Sequence, residues 1–135
     1  PPPADRRVIN ARITQLVNEQ LGVSITDAFC GFKAYRVSAL EKLALDVDGY
    51  AMPLQFWVQA AAHRLRISEV PVRVIYNDSN RSFGGQLDDP VLRLDHYRNV
   101  FNRELAKFPE FFGRPCTCAS TGRAAVPVQE ITGPP

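Results

Sequence analysis

Apolar residues recur at intervals of three and four over residues 6–21, where Ile9, Ile13, Leu16 and Val17 share one face. That spacing predicts a helix. Gly22 follows at once and is placed to end it, because a residue without Cβ turns left-handed at little cost. A stronger stripe runs over 52–65, with Leu54, Trp57, Val58, Ala61, Ala62 and Leu65 on one side. Pro53 suits the first turn of that helix, where its missing N–H is not needed. The pair Asp89-Pro90 joins a capping carboxylate to a first-turn proline. It predicts a third long helix to about residue 107, with Leu94, Tyr97, Phe101 and Leu105 inward. Ser38 is expected to cap a short helix through Leu45.

Elsewhere the period changes to two. Val70, Val72, Val74 and Tyr76 alternate as in a half-buried strand. Pro71 restricts that strand to an edge or a bulge. The mixed stretch 25–36 reads as a loop followed by a short strand over 31–35. Asp46-Val47-Asp48-Gly49 reads as a turn, and 77–86 as a polar, glycine-bearing loop. The order is helix, strand, helix, helix, strand, helix, an α/β pattern with a thin sheet. So thin a sheet leaves helical apolar surface without a partner, which predicts that the chain is part of something larger. Residues 1–5 read as a linker, 6–112 as the domain, and 113–135 as a disordered tail rich in Pro, Gly, Ser and Thr.

Composition narrows the classes. The length of 135 residues suits one domain. The apolar fraction of 45% and charged fraction of 22% are ordinary for a globular chain. A net charge of +2 gives no ground for nucleic-acid binding. No apolar run approaches the ~20 residues of a spanning helix, and the opening Pro1-Pro2-Pro3 has no signal-peptide core. Cys30, Cys116 and Cys118 form neither a disulfide framework nor a zinc pattern. A reducing, cytoplasmic setting is therefore expected. His63 and His96 are isolated.

The segment Asp27-Ala28-Phe29-Cys30-Gly31-Phe32-Lys33-Ala34-Tyr35-Arg36 resembles the Asp-x-x-x-Gly-Phe-Arg/Lys-x-Tyr-Arg segment of family 2 glycosyltransferases of the dolichyl-phosphate mannosyltransferase type. Further pieces follow in the family's order: Ala39-Leu40-Glu41-Lys42-Leu43, Gly49-Tyr50-Ala51, Ile67-Ser68-Glu69-Val70-Pro71-Val72 and Asn80-Arg81-Ser82-Phe83-Gly84-Gly85. The resemblance spans about residues 6–85. It implies the C-terminal, acceptor-side part of a GT-A fold. It implies an inverting transfer of sugar from a nucleotide donor, GDP-mannose or a UDP-sugar, to a polyprenyl phosphate or other acceptor. A divalent metal, Mg or Mn, is expected in the intact enzyme, with ligands outside this chain. The implied partners are a missing N-terminal nucleotide-binding half, the nucleotide-sugar, and a lipid-phosphate acceptor at a membrane surface.

The resemblance also assigns residues. Asp27 matches the acceptor-side aspartate, for acceptor orientation or general-base work; the alternative is that it caps a loop. Arg6 and Asn10 stand where the family has an Arg and a Ser near the donor diphosphate, a task that suits a guanidinium fork. Arg81 and Ser82 match a glycine-bearing loop that closes over phosphate in the family, although Phe83 replaces the usual Lys. Gln55 takes the place of an acceptor-side Glu; an amide can position a hydroxyl but cannot act as a base. Asp46-Val47-Asp48 has the spacing of a glycosyltransferase metal motif but lies on the wrong side of Asp27, so the turn is preferred. A non-catalytic interaction or dimerisation module, built on the 89–107 helix, is the alternative reading.

Overall fold

The computed structural model describes residues 4–73 and 83–112. Its helices are α1 (Ala4–Leu21), α2 (Val37–Leu40), α3 (Met52–Ala62), α4 (Pro90–Leu105) and α5 (Pro109–Phe112). Short 3-10 turns over Gly49–Ala51 and Gly85–Asp88 lead into α3 and α4.

α3 is buried almost all round, from Leu54 through Ala60. It packs against both α4 and α1. α1 contributes Ile9, Ile13 and Val17 to the shared core, and α4 contributes Tyr97, Val100 and Phe101. Burying several such side chains is the main favourable term, at about 1.5–3 kcal/mol each relative to exposure. Two helix ends follow the sequence signals, whereas α1 begins at Ala4, inside the expected linker, and α3 stops at Ala62, short of Leu65. Gly22 turns left-handed with φ 66° while its N–H closes on Asn18 O at 3.0 Å. Asp89 Oδ1 accepts from Val91 N at 2.8 Å and Leu92 N at 3.0 Å, so two of the helix's orphan donors are satisfied. The short helix has Arg36 at its N-cap position, two residues before the expected Ser38, with no side-chain capping bond, and ends at Leu40 rather than Leu45.

The sheet is the correction. No strand occurs among the described residues, so the expected α/β architecture, a C-terminal part of a GT-A fold, gives way to a helical one. The stretches 31–35 and 66–73 have no regular structure and, among the described residues, make no backbone–backbone hydrogen bonds. A strand exists only where a neighbour about 4.8 Å away takes its N–H and C=O groups, and no described segment does so. Val70 and Val72 both stand exposed, Val70 at 77%, where alternation predicted one buried face. Val74 and Tyr76 lie outside the described residues, as do the tail from 113 and most of the 77–86 loop.

Candidate functional site

The loop after α1 is held from several directions. Asn18 clamps Ile25, donating to its carbonyl and accepting from its N–H, both at 2.9 Å. Thr14 Oγ1 accepts from Ala28 N at 3.0 Å, and Trp57 Nε1 donates to Ala28 O at 2.8 Å. Glu69 accepts from the N–H and hydroxyl of Thr26. Asp27 is therefore an exposed carboxylate between fixed residues. Its Oδ1 accepts from Phe29 N at 2.8 Å, which is the loop-capping geometry. Its Oδ2 makes no hydrogen bond or ion pair among the described residues.

From that loop Phe29 reaches inward and lies against Tyr97, ring centroids 4.8 Å apart. Burial pushes the Tyr97 phenol up, while the charges of Arg93 and Arg6 draw it down. Those two guanidiniums share one ring: Arg6 lies 4.2 Å and Arg93 4.4 Å from the centroid of Phe83. Tyr50 meets the same ring edge-on at 4.8 Å. Arg93 is nearly fully buried, with one guanidinium nitrogen on Asp5 Oδ2 at 2.5 Å and another on Leu87 O at 2.8 Å. The Arg93 hydrogen bond holds the Asp5 carboxyl below the usual carboxylate range. Asp5 thus offsets the repulsion between two cations that contact one aromatic ring.

The structure brings Arg6 and the Asp27 loop into one neighbourhood, through Phe29 and Tyr97. Asn10 lies one turn beyond Arg6 and is half-buried. Arg81 and Ser82 lie outside the described residues, but Phe83, the next residue, is the ring that both guanidiniums cover. Gln55 is elsewhere. It is fully buried, with Oε1 accepting from Asp46 N and Val47 N at 2.9 and 3.0 Å. Its Nε2 donates to Asp46 Oδ1 at 2.6 Å and Glu104 Oε2 at 3.1 Å. Gln59 grips Ala44 in the same way and donates to Glu104 Oε1 at 2.7 Å. Lys107 completes the shell around Glu104 at 2.8 Å. Both amides of Gln55 and Gln59 are consumed in holding the 44–47 segment on α3.

Asp5, Arg93 and Tyr97 lie outside the site residues that the sequence resemblance assigns. A signal existed: Arg93, Tyr97 and Phe101 are spaced by four on the inward stripe of α4, and a charge on such a stripe requires a partner. Glu104 continues the same face. An open cavity of about 490 Å³ lies beside that carboxylate, lined by residues 42–46, Gln59, His63, Lys107 and Phe108. It is at the other end of α4, about 16 Å along the helix from Arg93 at 1.5 Å per residue, and is not where the predicted residues gather.

The described residues do not fit a divalent metal, since no three of their His, Cys, Asp and Glu side chains converge. No described helix is long and apolar enough to cross a membrane.

Comparison with known proteins adds one relative. The chain is 29% identical over 84 residues to the uncharacterized protein MJ1222 of Methanocaldococcus jannaschii. The match covers 61% of this chain and 35% of that protein, so the chain spans about a third of the relative's length. No family model matches, and no solved structure matches.

Proposed function

We propose that this chain is the acceptor-side portion of an inverting glycosyltransferase that moves a sugar from a nucleotide donor to a polyprenyl phosphate or other acceptor. The observation that carries the reading is the exposed Asp27 carboxylate, fixed between anchored residues in a loop whose Phe29 packs on Tyr97 of the helix that bears Arg93. An acceptor oxygen attacks the anomeric carbon while the nucleoside diphosphate leaves from the opposite face. Asp27 orients the acceptor and, for a hydroxyl acceptor, takes its proton. Arg6 faces the negative charge that develops on the leaving diphosphate, with Asn10, Arg81 and Ser82 assigned to the same phosphates by the resemblance. The nucleotide and any divalent metal are held by polypeptide outside this chain. The relative's greater length supports a reading in which this segment works within a larger protein.

Gln55 is not given a substrate contact, because its amide is already committed within the interior. The interaction-module reading ranks second, because the inward face of α4 is already buried against α3 and α1.

The test is Asp27→Asn in a longer protein that carries this segment, assayed for sugar transfer to a hydroxyl acceptor. Loss of a general base lowers the rate about 10²–10⁴-fold, with the melting temperature unchanged. Undiminished transfer by the folded variant removes the assignment.

A further inference from the structure

Beside Asp27 the chain holds a pair of nucleophiles that the transferase reading does not use. Cys30 is a half-buried free thiol. Lys33, also half-buried, folds back so that its amine donates to the carbonyl oxygen of Cys30 itself. The same amine stands 5.4 Å from the centre of the Trp57 ring. The Cys30 sulfur turns toward Phe32 O at 3.9 Å, so residues 30–33 curl around one another. A sulfur four covalent bonds from an oxygen that the amine touches lies within roughly 8 Å of that amine, by standard bond lengths. Burial pushes the Lys33 ammonium below the ordinary lysine value, and Cys30 and Asp27 draw it partly back. A thiolate is the better nucleophile toward a thioester, and a desolvated amine forms the more stable product.

We propose that Cys30 and Lys33 form an acyl-relay modification site, at which an acyl thioester acylates Cys30 and the acyl group then passes to Lys33. In the first step the Cys30 thiolate attacks the thioester carbonyl and the donor thiol leaves, so that one C–S bond replaces another. In the second step the neutral Lys33 amine attacks the new thioester. The C–N bond forms, the C–S bond breaks, the amine proton passes to solvent, and the Cys30 thiolate is regenerated. No oxidant or reductant is needed. The product is a neutral amide next to Asp27 in place of a cation. The proposal does not rest on the transferase reading.

The chain contains its own controls. Its other lysines are Lys42, which is exposed, and Lys107, which is paired with Glu104. The experiment incubates the full chain with acetyl-coenzyme A at pH 8 and follows each lysine by peptide mass spectrometry. Proximity predicts that Lys33 is acetylated about tenfold or more faster than Lys42. In Cys30→Ser that excess disappears, and in Lys33→Arg the acetyl group accumulates on Cys30 as a thioester cleaved by hydroxylamine. Equal rates at Lys33 and Lys42, or an excess that survives in Cys30→Ser, would overturn the relay. So would a Lys33→Arg variant that folds as the parent does but leaves Cys30 unmodified.

Discussion

Glu104 is a carboxylate with almost no exposure, and the two glutamines that meet it are equally buried. Each of its oxygens is satisfied, Oε1 by Gln59 and Oε2 by Gln55 and Lys107. A buried charge of this kind is tolerated only while every partner stays in place. Glu104→Ala strands both amides and is expected to lower unfolding stability by about 3 kcal/mol in urea titration. Gln55→Glu tests the same network from the other side. Its new carboxylate would face Glu104 and Asp46 in place of two donated hydrogen bonds, with a loss of about 3 kcal/mol at pH 7. The introduced group's folded pKa is raised above its unfolded value of about 4.3. Its penalty is therefore full above the folded pKa and recedes as pH falls through it, which urea titrations at pH 5 and 7 would detect. The helical position of Gln55 was legible in the sequence. Its partner was not, because periodicity gives the face of a helix and not the residue 49 positions away that meets it.

At the scale of elements, the helices were legible and the strands were not. α1, α3 and α4 each announce themselves by an apolar stripe of helical period and a residue that begins or ends it. Asp89→Ala removes two N-terminal hydrogen bonds of α4 and is expected to lower stability by about 1 kcal/mol, read as a lower melting temperature. Alternation of Val70 and Val72 is a weaker signal, because a strand is defined by its neighbour and no described segment supplies one. The tie between α1 and α4 was also hidden, since Asp5 and Arg93 stand 88 positions apart. It carries a pH signature. The Asp5 pKa is lowered from 3.8 by its Arg93 hydrogen bond, so its contribution is present above that value and lost as pH falls below it. Asp46 behaves with the same sign, lowered chiefly by its Gln55 bond and then by the Lys107 charge. Asp5→Asn is therefore expected to flatten, without abolishing, the fall in melting temperature on acidification below pH 4.

For the whole molecule, the sheet that led to the expectation of uncovered helical surface is absent among the described residues. Phe32 is 83% exposed, Val37 71% and Val70 77%, while Asp27 lies on the surface rather than in the interior. The central claim is that the acceptor carboxylate is here and the donor site is not. Calorimetric titration of a nucleotide-sugar in the presence of Mn²⁺ addresses it directly, run on the 135-residue chain and on a longer protein that contains it. The account predicts no saturable binding by the chain and metal-dependent binding by the longer protein. Metal-dependent binding by the chain alone, or none by the longer protein, would contradict it.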